Sequence, residues 1–208
     1  ILHFAEIVSF FKKGAFMGTT QPLKSVNDIE KLKEYFRMRG KHRDFALVML
    51  GLNTALRIGD ILSLHWKDVY DFQCRKFHTH IQLHEQKTGK YNYIYINGGA
   101  INALENLRLN QEKIYPGKVL FESQKGVNKP LSRHRAYTIL KEAGQKLGLG
   151  NNFSCHSLRK TFGYHAWKNG ESPIVIMTIF NHSSFEITKR YLSIEQDDKD
   201  KLYSRIQF

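Results

Sequence analysis

Five short polar clusters follow one another along the chain: Ala55-Leu56-Arg57-Ile58-Gly59-Asp60, Gln86-Lys87-Thr88-Gly89-Lys90, His156-Ser157-Leu158-Arg159, Asn181-His182-Ser183-Ser184 and Thr188-Lys189-Arg190-Tyr191-Leu192. Their residue types suit attack on a phosphodiester. Tyrosine has a reference pKa of about 10, so only on the order of one phenol in a thousand is ionised at neutral pH. A nucleophilic Tyr191 needs a proton acceptor or a strongly positive setting, and the neutral imidazole of His156 can take a phenol proton near physiological pH. Attack concentrates negative charge on the non-bridging oxygens, which planar guanidinium forks such as those of Arg57 and Arg159 can hold in pairs. His156 and Arg159 are spaced i and i+3, which puts them on one helical face and aims both at one phosphate. Fixed cations of this kind do the charge stabilisation otherwise left to a metal ion, so neither a metal nor a cofactor is implied.

In this order the clusters resemble the catalytic domain of the tyrosine recombinase (integrase) family, which includes phage integrases and chromosome-dimer resolvases, from about Leu23 to Leu192. The resemblance implies a nucleophile at Tyr191, catalytic arginines at Arg57 and Arg159, and the histidine of the H-x-x-R box at His156. It also implies a hairpin lysine at Lys87 that protonates the departing 5′ oxygen, and at His182 a further hydrogen bond to the transition state. Asp60 occupies the acidic position one helical turn after Arg57, where it could orient that guanidinium. The implied reaction is cleavage and rejoining of double-stranded DNA at paired sites through a 3′-phosphotyrosine, by a homotetramer working with accessory DNA-binding proteins. Two rivals remain. A type IB topoisomerase shares this chemistry without exchanging partners, and a non-catalytic DNA-binding regulator would keep the basic helices alone. The small size and the H-x-x-R and N-H-S-S boxes favour the recombinase, and the complete set of six residues speaks against the regulator.

The elements that must carry these residues are mostly helical. Ser25 precedes a pattern in which Ile29, Leu32 and Phe36 share a face, ending near Gly40. Further helices are predicted over His42 to Asn53, Arg57 to Leu64, Ala100 to Asn110, Ser132 to Leu147, His156 to Asn169 and Pro173 to Asn181, and around Tyr191. Between them the period changes. From Phe77 to Glu85 apolar residues alternate with His78, His80 and His84, and a β-rich run follows from Tyr91 to Ile96, with Thr88-Gly89 between them as a hairpin signature. The fold class is α+β, mainly helical, with a small antiparallel β-sheet packed on a helical bundle as in a tyrosine recombinase catalytic domain. Residues 1–24 read as an N-terminal segment or linker, a remnant of a preceding core-binding domain, and residues 25–208 as the catalytic domain with a C-terminal tail from about 195.

Lysine and arginine number 32 against 19 acids, a formal charge of +13 spread through the chain, which suits a polyanionic partner. A membrane surface would also attract it, but no apolar run approaches the ~20 residues of a spanning helix. Cys74 and Cys155 belong to no paired-cysteine metal motif, and a reducing cytoplasm is the simplest setting. Ile1 to Phe11 superficially resembles a signal peptide, but Glu6 interrupts it and Lys12-Lys13 follow it, the reverse of the secretory order.

Several other groups have weaker claims. Arg133, His134 and Arg135 open the helix from Ser132 and are candidates for contacts to the major groove or to phosphates, or form a generic basic surface. Lys90 is a nearby substitute for Lys87, and His165 reads as structural. His78, His80 and His84 read as a solvated or DNA-facing strand in preference to a metal site, and Asp197, Asp198 and Asp200 as a solvated tail in preference to a metal nuclease. Adjacent Cys155 and His156 point apart on a helix. Leu202, Ile206 and Phe208 can share one side of a tail helix that packs on its own domain or is exchanged between subunits.

Overall fold

Leu32 and Phe36 are buried on one face of helix α1 (Val26–Arg37) with Ile29 packed beside them, as their spacing requires. The computed structural model describes residues 20–194, 199–200 and 203–206. The chain turns through Gly40, at φ +59°, into α2 (His42–Thr54), which is buried without interruption from Asp44 to Gly51 and forms the axis of the domain. It ends on Ala55 in the left-handed conformation, φ 54°, from which Arg57 leads into the short α3 (Ile58–Leu62).

Where one small sheet is expected, two antiparallel two-stranded ribbons form. β1 (Tyr70–Asp71) pairs with β2 (Lys76–Phe77), and β3 (His80–His84) pairs with β4 (Tyr91–Tyr95) in the register His80↔Tyr95 to His84↔Tyr91. Ile81 faces the core, with Leu83 and Ile94 packed against it, while His80 and Tyr93 stack on the outer face at 4.0 Å. The longer strand starts at His80, and His78 lies before it with Nε2 3.1 Å from the Lys67 carbonyl.

After α4 (Gly98–Leu109) and an irregular stretch, α5 (Arg133–Leu147) begins at Ser132, whose hydroxyl accepts from the Arg135 N–H, and ends on Gly148 in the left-handed conformation. α6 (Cys155–Lys168) packs against α2 in one direction, and in the other against α7 (Pro173–Phe180) and α8 (Phe185–Leu192). Gly163 makes the second contact close. A Cβ there would stand 2.7 Å from both Phe180 Cζ and Leu192 Cδ2, so only a bare Cα lets α7 and α8 settle on α6. Ala55, Tyr164, Ile176, Phe180, Leu192 and Ile194 form a second apolar cluster that seats α8.

The end of the expected linker is docked on α6. Leu23 is buried, its N–H donates to Thr161 Oγ1 (2.8 Å), and its carbonyl lies 2.9 Å from His165 Nε2, so His165 is structural as expected. Ile1 to Phe11, Asp197, Asp198, Leu202 and Phe208 lie outside the described residues, so the readings placed on them are not addressed. Among the described residues no helix is long and apolar enough to cross a membrane.

Candidate active site

The turn after α2, the tip of the β3–β4 hairpin, the first turn of α6 and the α7–α8 junction come together, and with them all six residues singled out in the sequence. Arg57 is the residue before α3 and has extended backbone (φ −71°, ψ 147°), which turns its side chain away from the helix it precedes. Its Nη1 meets Glu85 Oε2 at 2.5 Å. Glu85 is wholly buried and also accepts from Thr88 Oγ1 (2.6 Å) and Asn92 Nδ2 (2.9 Å). Burial pushes its carboxyl upward, but the Thr88 hydroxyl, the Arg57 hydrogen bond and the charges of Arg57 and Arg159 outweigh this and hold it below its ordinary value.

Glu85, and not Asp60, is therefore the acid that orients Arg57. The i, i+3 argument for Asp60 assumes that both residues are helical, and Arg57 is not. Asp60 Oδ1 instead accepts the backbone N–H of Gln86 (2.9 Å), while its buried Oδ2 has no hydrogen-bond partner among the described residues.

Arg159 is 4 % exposed. Its guanidinium donates to the carbonyls of Ala55 and Phe180, the latter at 3.3 Å, and lies 4.5 Å from the centre of the Phe180 ring. The left-handed residues Ala55 and Asn181 end α2 and α7, so Arg159 is held where two helices terminate.

Tyr191 lies beside it on α8, its ring 5.1 Å from that of His182 and 5.4 Å from that of Phe180, with Lys160 Nζ 4.8 Å from its ring centre. Burial raises the phenol pKa, against the lowering influence of the Arg159 charge and hydrogen bond and of Arg57. His182 Nδ1 is 3.0 Å from Thr188 Oγ1, one turn before the tyrosine.

His156 is on the exposed side of the same α6 turn. It lines a cleft of about 400 Å³ with Arg57, Gly59, Asp60, Gln86, Lys87 and Arg133. Burial first, and then the charges of Arg159, Lys160, Arg57 and Lys87, push its pKa down. His182 is lowered by burial, Arg159 and Arg57 in that order. Both imidazoles are thereby kept neutral at physiological pH. Lys87 is exposed at the hairpin tip, whereas Lys90 reaches toward Asn181 Oδ1 at 3.5 Å, so it is Lys87 that faces the cleft.

Of the basic trio that opens α5, Arg133 joins the cleft and donates to Gln86 Oε1 at 2.6 Å, Arg135 stands 3.9 Å from Glu142, and His134 is exposed. Burial raises the Cys155 thiol to about 11, which leaves it inert beside His156.

Two residues of the site escaped the sequence reading. Glu85 had a visible signal, since the alternation of Ile81 and Leu83 carries an acid onto the buried face of a strand. Lys160, 5 % exposed with Nζ on the Thr20 carbonyl at 2.6 Å, follows a recognised arginine and had no separate signal.

Residues 25–197 match the phage integrase family. The chain is 37 % identical over 194 residues to the probable integrase/recombinase YoeC of Bacillus subtilis, covering 90 % of this chain and 97 % of that protein. It is 30 % identical over 158 residues to the tyrosine recombinase XerD of Corynebacterium glutamicum, covering 74 % of this chain and 49 % of the relative, so it spans about half the length of that protein. Its fold matches the XerH site-specific recombinase bound to a palindromic difH substrate with a TM-score of 0.68 at 17 % identity, over 92 % of this chain and 54 % of that one.

Proposed function

The chain belongs to the phage integrase family and is a tyrosine recombinase, an enzyme that transfers DNA strands, and from that premise we propose that Tyr191 is its nucleophile in a site completed by Arg57, Lys87, His156, Arg159 and His182. The observation that carries the assignment is the burial of the Tyr191 phenol against Arg159 and the His182 ring, within electrostatic reach of Arg57. A tyrosine kept neutral in the resting site, beside cations and a neutral histidine, is armed for attack when a phosphate arrives.

In the proposed reaction Tyr191 Oη attacks the scissile phosphorus and its proton passes to neutral His156. The Tyr191–phosphorus bond forms as the P–O5′ bond breaks, and the departing 5′ oxygen takes a proton from the Lys87 ammonium. Arg57 and Arg159 hold the non-bridging oxygens, and His182 donates to the same phosphate. The 3′-phosphotyrosine conserves the energy of the broken bond, so a 5′ hydroxyl from a second strand reverses the step without ATP. Exchange at paired sites needs several protomers. A homotetramer on double-stranded DNA, directed by accessory DNA-binding proteins in the cytoplasm, is the assembly that fits this chemistry.

A nicked suicide duplex, from which a short fragment is lost after cleavage, tests the reading. The expected result is a covalent adduct on Tyr191 that forms undiminished in excess EDTA, because fixed cations supply the positive charge, together with recombination of two sites. Strict dependence on added magnesium would redirect the chemistry to a metal nuclease. Relaxation of supercoils without joining of two sites would select the topoisomerase reading.

The pH profile separates the two histidines. With the His156 pKa held below its ordinary value, the acidic limb should lie at lower pH than for a free imidazole, with cleavage falling as the ring gains a proton and can no longer accept one. His156→Ala should lower the plateau by roughly 10²–10⁴, the usual contribution of general acid–base catalysis, and remove the acidic limb. The ring contact with Tyr191 makes His182 the alternative acceptor, and an acidic limb abolished by His182→Ala but retained in His156→Ala would assign it that role.

A further inference from the structure

Gln86, the residue before Lys87, is held from two directions. Its N–H donates to Asp60 Oδ1 at 2.9 Å, and its side-chain Oε1 accepts from Arg133 Nη2 at 2.6 Å, across 47 residues of sequence. The Arg133 guanidinium reaches it through a notch at Gly59, where a Cβ would come within 2.4 Å of Nη2 and 2.9 Å of Cζ and Nε. Gly59, Asp60, Gln86 and Arg133 line the same cleft as Arg57, Lys87 and His156. On the other side of Gln86, Glu85 is pinned by Arg57. Beyond Lys87 the tip turns at Gly89, φ +68°, whose N–H donates to the Glu85 carbonyl at 2.8 Å. Lys87 thus follows two anchored residues and leads into a turn tied back to Glu85.

We propose that Arg133 is a positioning residue, which reaches through the Gly59 notch to hold Gln86 and thereby aims Lys87 at the departing 5′ oxygen. This rests on the reading of Lys87 as the proton donor. With Gln86 held in one conformation, a larger fraction of Lys87 ammonium groups stands within reach of O5′ when the P–O5′ bond breaks. Releasing Gln86 lowers that fraction, so proton delivery is slowed and nucleophilic attack is not. Arg133 thereby takes a role different from the groove or phosphate contact expected of a basic helix start.

The test compares single-turnover cleavage of two nicked duplexes, one with an ordinary bridging 5′ oxygen and one with sulfur in its place. A thiolate, whose conjugate acid has a reference pKa of about 8.5, departs without a proton, so defects in proton delivery vanish on sulfur. Arg133→Ala should slow the oxygen substrate roughly tenfold, as expected for losing a hydrogen bond to a charged group, and the sulfur substrate by less than about twofold.

Gly59→Ala should reproduce that pattern with the Arg133 charge still present, because the new methyl evicts the guanidinium from its notch. Arg133→Ala combined with Lys87→Ala should cleave no more slowly than Lys87→Ala alone, as for two residues acting in one step. If Lys87→Ala is relieved by sulfur but Arg133→Ala slows both substrates equally, Arg133 is a DNA contact and the proposal is overturned while the role of Lys87 stands. If Lys87→Ala itself is not relieved, the reading of Lys87 fails and the proposal falls with it.

Discussion

Tyr191→Phe is expected to abolish covalent attachment to a suicide duplex completely while leaving DNA affinity within about twofold of the parent protein. The substitution removes one oxygen. The ring contacts with His182 at 5.1 Å and Phe180 at 5.4 Å, and the Lys160 ammonium above the ring at 4.8 Å, are all available to phenylalanine. The hydrogen bond to Arg159 is lost, but that guanidinium keeps its two carbonyl partners. Binding draws on the charge of the whole surface, +13, and one neutral phenol contributes little to it. Adduct formation is read as a shifted band on a denaturing gel and affinity as retention at two salt concentrations. A Tyr191→Phe protein that still forms the adduct would show that another residue is the nucleophile.

The second large effect is expected at Arg159. Arg159→Lys keeps the charge but loses the planar fork, and one ammonium cannot serve the Ala55 carbonyl, the Phe180 carbonyl and a phosphate at once. Removing a preorganised donor of this kind costs ~2.7–4 kcal/mol of barrier, so cleavage should fall roughly 10²–10³-fold. Stability should fall too. A buried carbonyl left unpaired costs about 1–3 kcal/mol, and in a domain of this size each kcal/mol moves the melting temperature by about 2–4 °C. Single-turnover cleavage and thermal unfolding of the same preparation check both halves. Unchanged cleavage would remove Arg159 from the catalytic set, and an unchanged melting temperature would show that its carbonyl contacts carry no stability.

The residues proposed as catalytic could be read from the sequence because each lies in a local cluster whose residue types are chemically constrained. The helices could be read because Ile29, Leu32 and Phe36, and their counterparts later in the chain, repeat with the helical period. What failed depended on backbone that no local pattern reports. Asp60 was matched to Arg57 by helical spacing, but Arg57 is extended and its partner, 28 residues away, directly follows a strand. Strands of two residues, Tyr70–Asp71 and Lys76–Phe77, are too short to show an alternation, and the first ribbon went unrecognised. The seat of Arg159 depends on Ala55 and Asn181 both taking left-handed backbone, and neither is the glycine that would have signalled it.

That seat also bears on how the protein is made. Arg159 is tethered to carbonyls 104 residues before it and 21 residues after it, and the proposed nucleophile follows another eleven residues on. A nascent chain still on the ribosome presents positive charge, and can meet DNA, long before it presents Tyr191. Chains that stop before Tyr191, whether from a broken message or a stalled ribosome, carry positive charge but lack the proposed nucleophile. The hazardous step becomes possible only once the chain has been made through Tyr191, so translation that stops short of it yields no strand-breaking enzyme.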